Sequence, residues 1–438
     1  MEANAGLSFR LQGESDLICQ RPTVVLAIAS VQNFTGEPDA NAICLVTGEM
    51  APVERLHTAI KNVWGAQSSG ANIVSFNADA YCSFGNNNLQ GLNSPVGKYA
   101  AFAYTTALNA LLERNSGQRV QVGDASTVFW AEADHELETM VADAFGEAPK
   151  DDPTRGTAAV ARVFEWANSG KPPSLNGDTN FFVLGLAPNA ARIAVRFWHV
   201  LPIRDLARRI TQHYGDLELV RGKFDAEYPS LFRLLSACAT QGKADNIPPN
   251  LGGEVMRAIL TGSPYPATLF AAAIRRCRAE QDVTYHRAAI IKACLNRSIR
   301  QSSLSALPSQ KEFSAMLDPD HQSTAYRLGR LFAVLEKIQE EASPGLNSTI
   351  RDRYYGAASS TPVTVFMTLL RLHHHHLGKL AIGRRVNMEK LVGEIMSQVE
   401  QFPTQLPLAE QGRFAIGYYH QRQAFFIKSN SSEEGATA

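Results

Sequence analysis

Apolar positions along the chain change their period twice. Over residues 1–94 they come in short runs, AICLV and NIVSF, separated by Gly, Ser and Asn clusters at Gly65–Asn72 and Gly85–Asn88. That pattern predicts short strands in an irregular region. Ser94-Pro95 then reads as an N-cap followed by proline at the first helical position. Val96, Tyr99, Ala100, Ala103, Ala107, Leu108 and Leu111 follow at helical spacing, and Gly117 reads as the stop. RVQVG and STVFWAE predict two strands, and His135–Phe145 and Thr157–Asn168 predict two helices.

NFFVLGL and AARIAVRFW flank Ala187-Pro188-Asn189, which predicts a hairpin over residues 180–200. Alternation in its second strand puts Ile193, Val195 and Phe197 on one face and Arg192, Arg196 and Trp198 on the other. From residue 202 onward the period is helical. Tyr265–Gln281 and Thr284–Arg297 are apolar-rich helices, and Arg300–Lys311 reads as a polar linker. Leu328, Leu331, Phe332, Leu335 and Ile338 form one helical stripe; Met388, Leu391, Val392, Ile395 and Val399 form another. Thr361-Pro362 starts a helix between them, and Gln411–Phe426 closes the set.

The expected fold is α+β: a mixed N-terminal and middle part with short antiparallel strands, then a C-terminal helical bundle. The expected limits are 1–178, 179–300 and 312–427, with a disordered tail over 428–438.

Composition agrees with a folded protein, at 45% apolar and 19% charged residues. A length of 438 residues exceeds what one core usually supports. Six dispersed cysteines form no CxxC pair, which argues against a zinc ribbon and for free thiols in a reducing cytoplasm. No apolar run reaches the ~18 residues that span a membrane, and the first residues lack the marks of a secretory signal. The 42 Lys and Arg balance the 42 Asp and Glu, so the whole-chain charge names no partner. The basic residues are 30 Arg and 12 Lys. Arginine's planar fork suits phosphates, bases and carboxylates, though genomic base composition also favours Arg.

Candidate chemistry is local. Gly65–Gly70 has the spacing of a phosphate loop, but Ala71 and Asn72 stand where Lys and Ser or Thr are needed. A polar loop in which Gln67, Ser68 and Asn72 contact a nucleic-acid backbone or base edges is the functional reading. A flexible surface loop is the plain one. Glu132, Asp134, His135 and Glu136 offer carboxylates beside a histidine, yet acidic residues at a helix start also suit the helix dipole. The run His373–His376 points four ways around a helix and reads as a solvated face. Neither cluster is assigned a metal, no cofactor is expected, and no catalytic residue is singled out. Arg192, Arg196 and Trp198 on one strand face combine charge with a stacking ring. Arg204, Arg208, Arg209, Arg221 and Lys223 extend that zone. Arg275, Arg276, Arg278, Arg287, Lys292, Arg297 and Arg300 form a second zone. These do not share one helical stripe, so some are expected to be buried in pairs or at an interface.

QSSGANIVSFNADAY, YAAFAYTTALNALL, LGLAPNAARIAVRFW, YPATLFAAAIRRCRAE, TYHRAAIIKACLNR, NSTIRDRYYGAASSTPVTVF and GYYHQRQAFF appear in this order. They resemble the large subunit of the type I-C CRISPR effector complex, Cascade, from roughly Leu7 to Phe426. The resemblance implies a non-catalytic DNA-binding subunit that works beside a CRISPR RNA and the other Cascade subunits. Such a subunit reads a protospacer-adjacent motif on double-stranded target DNA, holds the displaced strand and helps recruit a helicase-nuclease. Base pairing supplies most of the specificity in such systems. Members of the family usually carry a longer segment ahead of the stretch matching Gly6–Gly13, so part of the N-terminal region is expected to be missing. The bundle resembles a separate small subunit of related complexes, with Met316 as a candidate internal start. A metal-dependent nuclease using Glu132, Asp134 or His135 and a protein-only scaffold are the alternatives.

Overall fold

The computed structural model describes residues 9–13, 17–32, 40–82, 90–133, 135–147, 155–169, 178–303 and 311–434, without the side chains of 28–32, 167–169, 303 and 428–434. Gly85–Asn88, Asp134, and most of the expected loops over 148–155, 169–179 and 300–311 lie outside the described residues. The architecture is α+β. The chain divides into two compact units, residues 1–116 with 187–194, and residues 117–186 with 195–438. The expected breaks near 178 and 300–312 both fall inside the second unit.

The first unit holds α1 (Pro22–Gln32), the antiparallel pair β1 (Asn41–Ile43) and β2 (Met50–Pro52), and α2 (Lys98–Leu111). Its small core packs Cys44 with Val96, Ala100 and Ala101. Helix α2 starts three residues later than the Ser94-Pro95 signal predicts, with Gly97 as N-cap. The reason is long-range. The Pro95 and Val96 carbonyls accept from the Leu45 and Glu54 N–H groups at 2.9 Å each, which keeps those residues extended. NIVSF is likewise no strand: Asn72 makes a single parallel bridge with Arg192.

The second unit carries a four-stranded sheet in the order β3 (Arg119–Val122), β4 (Ala125–Ala131), β5 (Asn180–Asn189) and β6 (Arg192–Pro202). The tip of the β5–β6 hairpin, 187–194, is counted with the first unit. The turn is Ala190-Ala191 rather than Ala187-Pro188-Asn189, and Ala190 takes a φ of +53° to close it. On one sheet face Phe129, Phe181 and Val183 enter the core against α3 (Leu137–Phe145), α4 (Arg155–Ser169) and α5 (Ile203–Leu217). Helices α6 (Leu231–Cys238), α7 (Leu251–Thr261), α8 (Ala267–Glu280) and α9 (Tyr285–Ser303) follow.

The C-terminal helices are α10 (Thr324–Ala342), α11 (Ile350–Ala358), α12 (Phe366–Leu377), α13 (Ile382–Met396) and α14 (Leu408–Glu434). The stripe Leu328, Leu331, Phe332, Leu335 and Ile338 is wholly buried, as its period requires. One hydrophobic cluster runs without a break from the sheet through α8 and α9 into this bundle. Helix α14 continues to Glu434, into the segment expected to be a disordered tail; residues 435–438 lie outside the described residues.

Two buried imidazoles couple this core to pH. His420 sits with Nδ1 2.9 Å from the Tyr326 hydroxyl. Burial, aided by Lys292, pushes it down to about 3. His213 is lowered by enclosure and by Arg297. Both rings bind a proton in the unfolded chain near pH 6.5 and resist it in the folded one. Their stabilising contribution is therefore full above ~6.5 and is lost as pH falls, by up to ~1.4 kcal/mol per pH unit for each ring. The midpoint of thermal unfolding is expected to lie several degrees lower at pH 5 than at pH 7.5. Equal midpoints would mean that the folded protein protonates these rings.

Candidate nucleic-acid interface

The Gly65–Gly70 segment is the tip of a closed loop in the first unit. Its neck is an antiparallel bridge in which Ile60 and Ala71 exchange both backbone hydrogen bonds, at 2.9 and 3.0 Å. Asn109 on α2 braces the base. It accepts from the Lys61 N–H at 2.8 Å and donates to the Ala59 carbonyl at 3.2 Å. The Gly70 N–H returns to the Gln67 carbonyl at 2.9 Å, which places Ser68 and Ser69 at the corner of a tight turn. Gly70 takes a φ of +94° with no room for a Cβ beside the Ile60 carbonyl, so glycine is required there.

Within this loop Gln67 and Ser68 are exposed, and so is Trp64, at 65%. Asn72 is engaged differently. Its side-chain amide donates to the His57 carbonyl at 2.6 Å, and its own carbonyl accepts from the Ile193 N–H at 3.0 Å. Its amide N–H and its backbone carbonyl thus brace the neck. Trp64 was not singled out in the sequence. A lone Trp between Val63 and Gly65 carries no periodic signal, and only the closed neck places it on the loop surface.

The hairpin arginines are committed within the protein. Arg192 donates to Asn77 Oδ1 at 3.0 Å and lies 3.7 Å over the Tyr81 ring. Arg196 directs Nε and Nη2 to Asp124 Oδ2 at 3.1 and 2.8 Å. Trp198 remains 48% exposed. It belongs to a cluster of three rings on β4, β5 and β6: Trp130 pairs with Phe182 in register, their centroids 5.3 Å apart, and Trp198 stands 5.6 Å from Trp130 and 5.9 Å from Phe182. The cluster was legible only in part, because alternation places Trp198 on a face but cannot supply its neighbours on two other strands.

Most of the other basic residues follow the paired reading. Arg204, Arg208 and Arg221 pair with Asp178, Asp205 and Glu227, and Arg209 reaches Gln212. In the second zone Arg287, Lys292 and Arg297 are buried. Arg297 donates to Asp216 at 2.7 Å and to the Ala258 and Ser263 carbonyls at 2.7 and 2.8 Å. Arg276 lies 3.7 Å from Glu280. Arg278 reaches Gln411 and Ser360 at 3.4 Å each. Arg275 is exposed, with no carboxylate partner among the described residues. Most of this zone therefore holds the helices together and does not form a basic stripe.

The acidic cluster is also dispersed. Glu132 accepts from the Asn180 amide at 3.1 Å, and Glu136 pairs with Arg162 at 2.6 Å. His135 Nδ1 accepts from the Leu137 N–H at 3.0 Å, with its ring edge-on to Trp166. In the His373–His376 run, His373 is buried and not solvated, because it points inward from α12. Among the described residues no group of His, Cys, Asp or Glu is placed to hold a metal ion, and no helix is long and apolar enough to cross a membrane.

Fold and surface together define an α+β protein that presents amide and aromatic groups on a braced loop and on a sheet face. Comparison with known proteins gives its place. The family model described as CRISPR-associated protein (Cas_Csd1) matches residues 1–426. The chain belongs to that family, the large subunit of the type I-C CRISPR system. No curated protein matches it.

Proposed function

We propose that this chain is a non-catalytic, DNA-contacting subunit of an RNA-guided CRISPR interference complex. In this reading the braced loop carrying Trp64, Gln67 and Ser68 contributes to recognition of the protospacer-adjacent motif. The exposed Trp198, with the half-buried Trp130 and Phe182 beside it, contributes to holding the displaced strand. The other Cascade subunits with their CRISPR RNA, the target duplex and the recruited helicase-nuclease are its partners. The observation that carries the reading is the loop. A rigid neck presenting an exposed amide, a hydroxyl and an indole suits base-edge hydrogen bonding and stacking. The family to which the chain belongs supports the setting. The hairpin arginines and the buried Arg287 and Arg297 carry little of it, since their guanidinium groups are engaged by partners within the chain, whereas Arg275 stays exposed.

The test is assembly of the chain with its partner subunits and guide RNA, followed by binding of matched duplex DNA at two salt concentrations. Stable assembly and guide-dependent binding that weakens with salt are expected. Trp64→Ala with Gln67→Ala is expected to weaken duplex binding by about thirty-fold or more, from one lost stack and one lost base contact of ~1–3 kcal/mol each. Thermal unfolding of the double variant is expected to stay unchanged. Normal duplex affinity in the variant would remove the loop from the site. Metal-dependent cleavage of DNA by the chain, abolished by Glu132→Ala, would replace this reading with a nuclease.

A further inference from the structure

A cavity of about 360 Å³ opens in the second unit between α4, the end of α5, the start of α9 and the loop 218–228. Its walls include the rings of Phe164, Tyr214, Tyr228 and Tyr285 and the carboxylates of Glu218 and Glu227. Tyr228 stands 5.8 Å from Phe164 and 5.3 Å from Tyr214, centroid to centroid. Two of the phenols are already satisfied. Tyr214 donates to the Ala144 carbonyl, and Tyr285 donates to the Glu227 carbonyl at 3.3 Å. The cavity therefore offers ring surface more than hydroxyl groups.

Its charge is uneven. Arg221 pairs with Glu227 at 3.1 Å, so those two compensate each other. Glu218 is exposed and has no ion-pair partner among the described residues. A carboxylate without a direct ion pair, beside aromatic faces, is a setting for a cation: ring quadrupoles attract it and the carboxylate fixes it. The same carboxylate repels phosphate, which disfavours a nucleic-acid strand here.

The loop that forms one wall also carries Phe224, which is 97% exposed. Its tip is held by the Asp225 N–H to Gly222 carbonyl bond and the Gly222 N–H to Asp225 Oδ2 bond, both 3.1 Å. Phe224 lies three residues from Arg221 and three from Glu227, hence within about 11 Å of each. A fully protruding phenylalanine beside a charged aromatic pocket has the make-up of a protein-docking anchor.

We propose that this cavity seats an arginine side chain of a partner protein, with Phe224 packing against apolar residues that flank that arginine. Guanidinium fits better than ammonium, because its plane stacks on rings while its edge meets a carboxylate. The inference stands apart from the DNA-contacting reading, and its test uses no assembled complex.

The full chain is prepared with fluorinated tyrosines, and the Tyr228 resonance is identified by its loss in Tyr228→Phe. N-acetyl-argininamide and the neutral isostere N-acetyl-citrullinamide are titrated in parallel. Argininamide is expected to shift the Tyr228 resonance and to bind about ten-fold more tightly than citrullinamide. Glu218→Gln, an exposed change whose folding is checked by thermal unfolding, is expected to erase that difference. A capped Leu-Arg-Leu tripeptide is expected to gain several-fold over argininamide, and Phe224→Ala to remove the gain. Equal binding of the charged and neutral probes would overturn the proposal. So would a tripeptide that gains nothing, or oligothymidylate shifting Tyr228 at lower concentration than argininamide.

Discussion

Replacing Asp216 by asparagine is expected to cost about 3–5 kcal/mol, enough to leave much of the chain unfolded or insoluble. Asp216 is 4% exposed and stands at the centre of a buried cationic group. One carboxylate oxygen accepts from Arg297 Nε at 2.7 Å and the other from Arg300. Its backbone carbonyl accepts from Lys292 Nζ at 3.0 Å. Burial already lowers the Lys292 ammonium from its usual value, with Asp216 opposing that shift. The Arg297 guanidinium lies 3.9 Å over the Tyr265 ring and is almost wholly enclosed. Without the carboxylate, that guanidinium stays buried with only carbonyl partners and a ring. Removing one partner of a buried pair costs far more than the pair contributes, because the remaining charge has lost both water and its counter-ion. The midpoint of denaturant unfolding reads the effect. Asp124→Asn is the contrast: its pair with Arg196 is about one-third exposed, and its loss should stay below ~1 kcal/mol. A loss as small as that at Asp216 would show that other groups compensate Arg297.

The second large effect is expected from alanine at Gly329 or Gly417, where α10 crosses α14. A Cβ on Gly329 would fall deep inside the Phe414 carbonyl oxygen and 2.8 Å from the Tyr418 nitrogen. A Cβ on Gly417 would meet the Tyr326 carbonyl in the same way. The contact is backbone against backbone, so no side-chain rotation relieves it; the two helices must part. Overpacking of this kind costs about 3 kcal/mol or more. Separation would also loosen Phe332, whose ring packs 6.0 Å from both Phe414 and Tyr418. Gly393→Ala on α13, with nothing within 4 Å of the new Cβ, is the control. It is expected to be neutral or to stabilise by up to ~1 kcal/mol, since alanine loses less backbone entropy in a helix. Unchanged unfolding in Gly329→Ala would mean that the helices cross less closely.

The strands β3 and β4, the hairpin arms and helices α3, α4, α8 and α9 were legible because each repeats its apolar residues at the period of its own element. The buried stripe of α10 was legible for the same reason. Errors gathered where a distant residue decides. Ser94-Pro95 has the chemistry of a helix start, but the carbonyls after it are claimed by Leu45 and Glu54. Ala187-Pro188-Asn189 has the chemistry of a turn, but the strand continues through it. Helix α1 starts at Pro22 but has Arg21, not a capping residue, before it, so its start was not read.

The same division separates the candidate sites. Sequence alone determined the fold class, the exposed amide-rich loop around Gln67 and Ser68, and the family, since each rests on local pattern or on long ordered strings. It could also say that the second basic zone shared no single helical face. Only the tertiary structure decided which charges are spent inside the protein. Arg192 stacks on Tyr81, Arg196 pairs with Asp124, and Arg297 pairs with Asp216 eighty-one residues away. It also decided that Trp198 clusters with Trp130 and Phe182, and that Glu218 shares a cavity with Phe164 and Tyr285. The physical reason is that period and propensity act over a few residues. Ion pairing, ring packing and cavity formation act through space, between segments whose separation along the chain carries no signal of their meeting.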